Sequence, residues 1–152
     1  MPASLAEEEE SIGIFLRLEA ERTRIQRASA VDLILIDRSV HTLLAHCHAL
    51  EQLTGERYSA LAERILRRST IPLWPDLVIY LDLPEGAVHL RNHGKFSADS
   101  IFIDPAFNAG IRSYFGGLAR AGAPKVIWID STLGAETVRQ LVGAEISSLP
   151  IS

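Results

Sequence analysis

Three short apolar runs organise the chain: Val31 to Asp37 (VDLILID), Asp76 to Leu83 (DLVIYLDL) and Lys125 to Asp130 (KVIWID). Each is apolar at consecutive rather than alternate positions and rich in β-branched or aromatic residues, as expected of parallel strands covered on both faces. Each carries an aspartate at or near its carboxyl end. Between them the apolar period lengthens to that of helices. Glu7 to Ala28 is the first predicted helix, with Ile12, Phe15, Leu16, Leu18 and Ile25 as a ragged apolar face and Glu and Arg opposite. Val40 to Leu53 follows, stopped by Gly55, and Ser59 to Arg68 is closed off before Pro72 and Pro75. A short helix is expected from Pro84, a longer one from Pro105 behind a capping Asp104, and a last one over Leu133 to Ile146.

Strands separated by helical crossovers predict an α/β layered fold with a mostly parallel sheet. Ligands of such sheets bind beyond the carboxyl ends of the strands, which directs attention to Asp37, Asp82 and Asp130 and the loops after them.

The chain has 152 residues, 47% of them hydrophobic and 22% charged, which suits one compact domain spanning 1–152. A chain of that length buries roughly 68–70% of its unfolded surface, enough for a core without disulfide staples. A single cysteine, Cys47, excludes an internal disulfide, and no signal-like start is visible, so a cytoplasmic location is expected. The net charge of −4 argues against extended nucleic acid as a partner, and no apolar run is long enough for a membrane span.

Asp37-Arg38-Ser39 places a carboxylate, a guanidinium and a hydroxyl where a strand is expected to enter a helix. A carboxylate there can hold Mg²⁺ and an arginine can offer a two-pronged donor to phosphate oxygens. The order Asp37-Arg38-Ser39, Thr42, Ala45-His46-Cys47, then Pro75-Asp76 to Asp82, Pro84-Glu85, Arg91 and Lys95 resembles the thymidylate kinase and deoxynucleoside kinase group of P-loop kinases. The likeness covers roughly residues 12 to 145, with DLVIYLDL similar to the family's fourth strand and KVIWID to its fifth. It implies a parallel-sheet P-loop-kinase-like fold shortened on its N-terminal side, and transfer of the γ-phosphoryl of ATP, with Mg²⁺, to a nucleoside, a nucleoside monophosphate or a similar small acceptor.

By that resemblance Asp37, Arg38, Arg91 and Lys95 are the expected catalytic residues, with Asp37 positioning the magnesium shell and the other three meeting phosphate charge. Arg22, Ser39, Thr42 and His46 are the expected acceptor-binding residues. The glycine-rich Gly-x-x-x-x-Gly-Lys-Ser/Thr loop and its preceding strand do not occur within the 152 residues. Efficient transfer by this chain alone is therefore not expected, and the alternative is a non-catalytic domain that binds a nucleotide or a partner. In the resembled strand order the absent strand would lie between VDLILID and DLVIYLDL. The two should then either close on each other or leave open edges to be covered by another chain, as in a homodimer, or by the acidic first helix, with closure or self-association favoured.

His41, His46, Cys47 and His48 match no metal-ligand spacing, so Cys47 is read as a small buried hydrophobe. Phe107, Ile111, Tyr114 and Phe115 fall at helical spacing and are expected in the core, with Asn108 and Arg112 free to face a cleft. Glu7 to Glu10 are expected to be a solvated helix start.

Overall fold

The computed structural model describes residues 4–69, 74–84, 86–87, 97 and 100–149. The chain divides into two compact units, Met1–Pro75 and Asp76–Ser152. The first is helical and the second is α/β.

The first unit is built from α1 (Leu5–Ala28), α2 (Val40–Thr54) and α3 (Tyr58–Leu66). α1 begins at Ser4, whose hydroxyl accepts from the Glu7 amide, with Glu7 and Glu8 in the first turn and Arg27 in the last. α2 begins at Ser39, whose hydroxyl accepts from the His41 amide, and ends at Gly55 in the left-handed conformation with φ 79°. Glycine takes that φ without steric cost, which is why the helix stops there. The Glu51 carboxylate accepts the Ser59 amide at 2.8 Å and so ties the end of α2 to the start of α3. The core holds Ile12 and Leu16 of α1, Val40, Leu43, Ala45, Cys47, Ala49 and Leu50 of α2, and Tyr58, Leu61 and Ala62 of α3.

Two expectations change here. The run Val31 to Asp37 does not form a strand: its backbone is irregular, and Val31, Leu33, Ile34 and Leu35 are exposed. A strand exists only by exchanging backbone hydrogen bonds with a neighbour, and the described sheet contains no third strand to pair with this one. α1 also buries only part of the face expected, Ile12 and Leu16. Its inward residues are Glu8, Ile12, Leu16, Glu19 and Thr23, while Leu18 and Ile25 point to solvent. The Glu7–Glu10 start is thus solvated except for Glu8.

The second unit pairs β1 (Leu77–Asp82) with β2 (Lys125–Asp130) in parallel, in a register running from Leu77 opposite Lys125 to Asp82 opposite Asp130. A single 3₁₀ turn (Ile101–Ile103) leads into α4 (Pro105–Ala121), and α5 (Ala135–Ser147) follows β2. Asp104 caps α4 by accepting the Phe107 amide at 3.0 Å, with Pro105 in the first turn, as the sequence predicts. Tyr80 stacks on Phe115 of α4 with ring centroids 4.6 Å apart and meets Trp128 of β2 edge-on at 4.7 Å. Phe107 and Phe115 are buried as expected. The protein is therefore α/β, with five α-helices and a two-stranded parallel sheet among the described residues. The helix expected from Pro84 falls mostly outside the described residues.

Candidate functional site

Asp37 and Arg38 occupy the corner between the irregular 29–39 segment and α2. Arg38 has φ 63°, a left-handed conformation that disfavours any residue with a Cβ. Its carbonyl accepts a hydrogen bond from Arg22 Nη1 at 2.9 Å. The same Nη1 lies 2.7 Å from the Glu19 carboxylate, which is itself buried. A chain of contacts thus runs from the interior of the helical unit through Arg22 to the backbone of the corner.

The side chains of Asp37 and Arg38 are both exposed, and among the described residues no ion pair holds the Arg38 guanidinium. Arg22 lies in the same corner, but its contacts here are Glu19 and the Arg38 carbonyl. Ser39 caps α2, and the Thr42 amide closes the first turn on the Ser39 carbonyl at 2.8 Å. No acidic residue stands in that first turn. His46 sits a helical turn further on, half-buried, its Nε2 3.8 Å from a carboxylate oxygen of Glu8. Burial alone pushes the His46 imidazole below its ordinary pKa and the Glu8 carboxyl above its own. The structure therefore brings Arg22, Asp37, Arg38 and Ser39 to one corner and leaves His46 on another part of α2. Arg91 and Lys95 lie outside the described residues.

Elsewhere in the helical unit a surface hollow of about 530 Å³ lies along α1, lined by Arg17, Ala20, Glu21, Thr23, Arg24 and Arg27. Cys47 is fully buried, and burial together with Glu8 and Glu51 pushes its thiol up to about 12, so it is inert as a nucleophile.

The carboxyl ends of β1 and β2 form a second polar group within the α/β unit. Arg112 Nη2 meets Asp82 Oδ2 at 2.9 Å, and the Ser131 amide donates to the Asp82 carbonyl at 2.8 Å. Asp130 Oδ1 accepts from both the amide and the hydroxyl of Thr132, at 2.8 and 2.7 Å. Asp130 is thus committed to shaping the turn into α5. Asn108, the other residue open to a cleft role, donates to the carbonyls of Phe102 and Asp104 and finishes the α4 cap.

Sequence reasoning missed the buried carboxylates Glu8 and Glu19. The available signal was their spacing: 8, 12, 16, 19 and 23 follow one helical stripe, on which two acids interrupt an otherwise apolar or small set. No family model, curated protein sequence or solved structure gives a significant match to this chain. No described helix is long and apolar enough to cross a membrane.

Proposed function

We propose that this is a nucleoside- or nucleotide-kinase-like protein whose Asp37-Arg38-Ser39 corner holds the phosphate of a small phosphorylated ligand. The observation that carries the reading is the left-handed Arg38. A non-glycine residue in that conformation costs on the order of 1–3 kcal/mol and persists only where its surroundings fix it. Here Arg22 pins the carbonyl, and the guanidinium is left exposed at the start of a 15-residue helix with no acid in its first turn.

The chemistry of the corner suits an anion. The positive end of the α2 dipole and a planar guanidinium both favour phosphate oxygens, and arginine can meet two of them at once. Asp37 is a single exposed carboxylate. Magnesium needs only one or two carboxylates when phosphate oxygens complete its shell, so Asp37 would hold a magnesium ion that arrives with the phosphate. ATP fits less well, because the 152 residues contain no glycine-rich lysine loop to cradle a triphosphate. Binding is accordingly the function assigned to this corner.

A second reading, phosphoryl transfer from ATP to the bound acceptor, is favoured by the joint occurrence of Asp37-Arg38-Ser39, Thr42, Arg91 and Lys95 in kinase-like order. Calorimetric titration with nucleosides, nucleoside monophosphates and triphosphates, with and without Mg²⁺, tests both. Binding of a phosphorylated ligand that disappears in Arg38→Ala supports the first reading, and ADP formation in the same mixtures supports the second. Absence of binding by every phosphorylated ligand overturns the assignment.

A further inference from the structure

The face of α1 turned away from its own core carries exposed aliphatic side chains among charged ones. Ile14, Leu18 and Ile25 are 46%, 65% and 55% exposed. At about 100° per residue these three positions lie within roughly 40° of one another, on the side opposite Ile12, Leu16 and Glu19. Single exposed aliphatic residues are ordinary; here three align along one stripe of a 24-residue helix, with Glu7 and Glu21 beside them.

Charge along α1 is strongly divided. Residues 7 to 10 are all glutamate, whereas in the later turns Arg17, Arg22, Arg24 and Arg27 outnumber Glu19 and Glu21, with which Arg22 and Arg24 pair. Glu10, Arg17 and Arg24 follow one another at seven-residue intervals and edge the apolar stripe on one side. All three are exposed. Such a helix is complementary to itself only when reversed. Two copies laid side by side in the same direction set glutamates against glutamates, while two laid antiparallel set the acidic start of each against the basic end of the other.

We propose that α1 forms the interface of a two-fold symmetric homodimer, with the two copies of the helix antiparallel. Leu18 of each chain packs on Ile14 of the partner subunit near the axis. Glu10 of each chain faces Arg24 of the partner subunit at either end, a contact that occurs twice as a two-fold interface requires. Arg17, midway between them on the same edge, lies beside Arg17 of the partner subunit at the axis. Opposite charges at such edges set orientation more than strength, and the aliphatic stripe provides the attraction. An apolar stripe with arginines also occurs on helices that lie on anionic membranes. Here Glu7, Glu10 and Glu21 fall along or beside the stripe, which opposes an anionic surface and favours a second chain. The proposal does not rest on the phosphate-binding reading, and Arg22, which holds the Arg38 carbonyl, borders the stripe about 40° from Leu18.

Sedimentation velocity on the full chain over a concentration series tests this. The native chain is expected to dimerise, and Leu18→Glu to weaken the dimer by about tenfold or more, consistent with loss of a central apolar anchor. Glu10→Arg and Arg24→Glu should each weaken it several-fold, because each creates like-charge contacts at both ends. The double variant Glu10→Arg/Arg24→Glu restores opposite charges and should recover most of the native affinity, even though Arg24 also pairs with Glu21 of its own helix at 2.6 Å. Urea midpoints of all variants verify folding, and each substituted side chain is exposed. A native chain that stays monomeric at every concentration overturns the proposal. So does a dimer indifferent to Leu18→Glu, a double variant no tighter than the singles, or a monomer that instead binds phosphatidylserine vesicles.

Discussion

Arg22 Nη1 donates to the carbonyl of Arg38 at 2.9 Å while lying 2.7 Å from the buried Glu19 carboxylate. One guanidinium therefore satisfies an interior acid and fixes a strained backbone turn sixteen residues away in sequence. Replacing Arg22 by Ala leaves both groups without this partner. The expected loss is about 1–3 kcal/mol of stability, read from urea unfolding, since a buried acceptor deprived of its donor costs that much. Phosphate affinity should fall with it, because the turn that presents Arg38 loosens.

Arg38→Gly separates strain from ligand recognition. Glycine adopts φ 63° freely, so relief of the left-handed penalty should outweigh the added freedom of the unfolded chain and raise stability by about 0.5–1 kcal/mol. The same variant loses the guanidinium and should lose binding to phosphorylated ligands. A drop in stability would show that Arg38's side chain, rather than its neighbours, holds the turn.

The buried acids and histidines of the helical unit make stability depend on pH in two opposed ways. Burial holds the Glu8 and Glu19 carboxyls above their ordinary value of 4.5. Above that pH the unfolded chain releases protons that the folded chain retains, so these groups lower stability as pH rises. Burial holds His41 and His46 below 6.5, so below that pH the unfolded chain takes up protons that the folded chain refuses, and stability falls as pH drops. Glu8→Gln should match the native urea midpoint below about pH 4.5 and become the more stable protein as pH rises towards 7. Parallel curves for the two proteins across that range would contradict the account.

Arg112 and Asp82 form the ion pair at the carboxyl end of β1, at 2.9 Å, with the Asp82 side chain only 17% exposed. Arg112→Ala strands a largely buried carboxylate and should destabilise the α/β unit by about 1–3 kcal/mol. Arg112→Lys should recover part of that, and Arg112→Ala in an Asp82→Asn background should cost much less. A thermal melt followed through Trp128 fluorescence in a Trp74→Phe background reports this unit.

The irregular run from Val31 to Ile36 exposes several aliphatic side chains in a sequence of high strand propensity. Unpaired segments of that kind recruit other chains. Leu33→Lys and Leu35→Lys should slow aggregation, followed by light scattering, without changing the unfolding free energy by more than about 0.5 kcal/mol, the usual range for exposed positions.

Local chemistry in the sequence was enough to set several elements. Ser39 and Gly55 bound α2, Asp104-Pro105 starts α4, and the consecutive apolar residues of LVIYLD and KVIWID make strands, because caps, left-handed turns and pleated surfaces depend on residues close in the chain. VDLILID has the same local character and forms no strand, since a strand also needs a neighbour that no local pattern supplies. The candidate corner divides along the same line. Asp37-Arg38-Ser39 is legible as a motif, but Arg22's hold on the Arg38 carbonyl, the burial of Glu8 and Glu19, and the outward turn of Leu18 and Ile25 follow from which face of α1 the other helices cover. Periodicity specifies that a helix has faces; only the packed neighbours decide which of two apolar stripes is the inside.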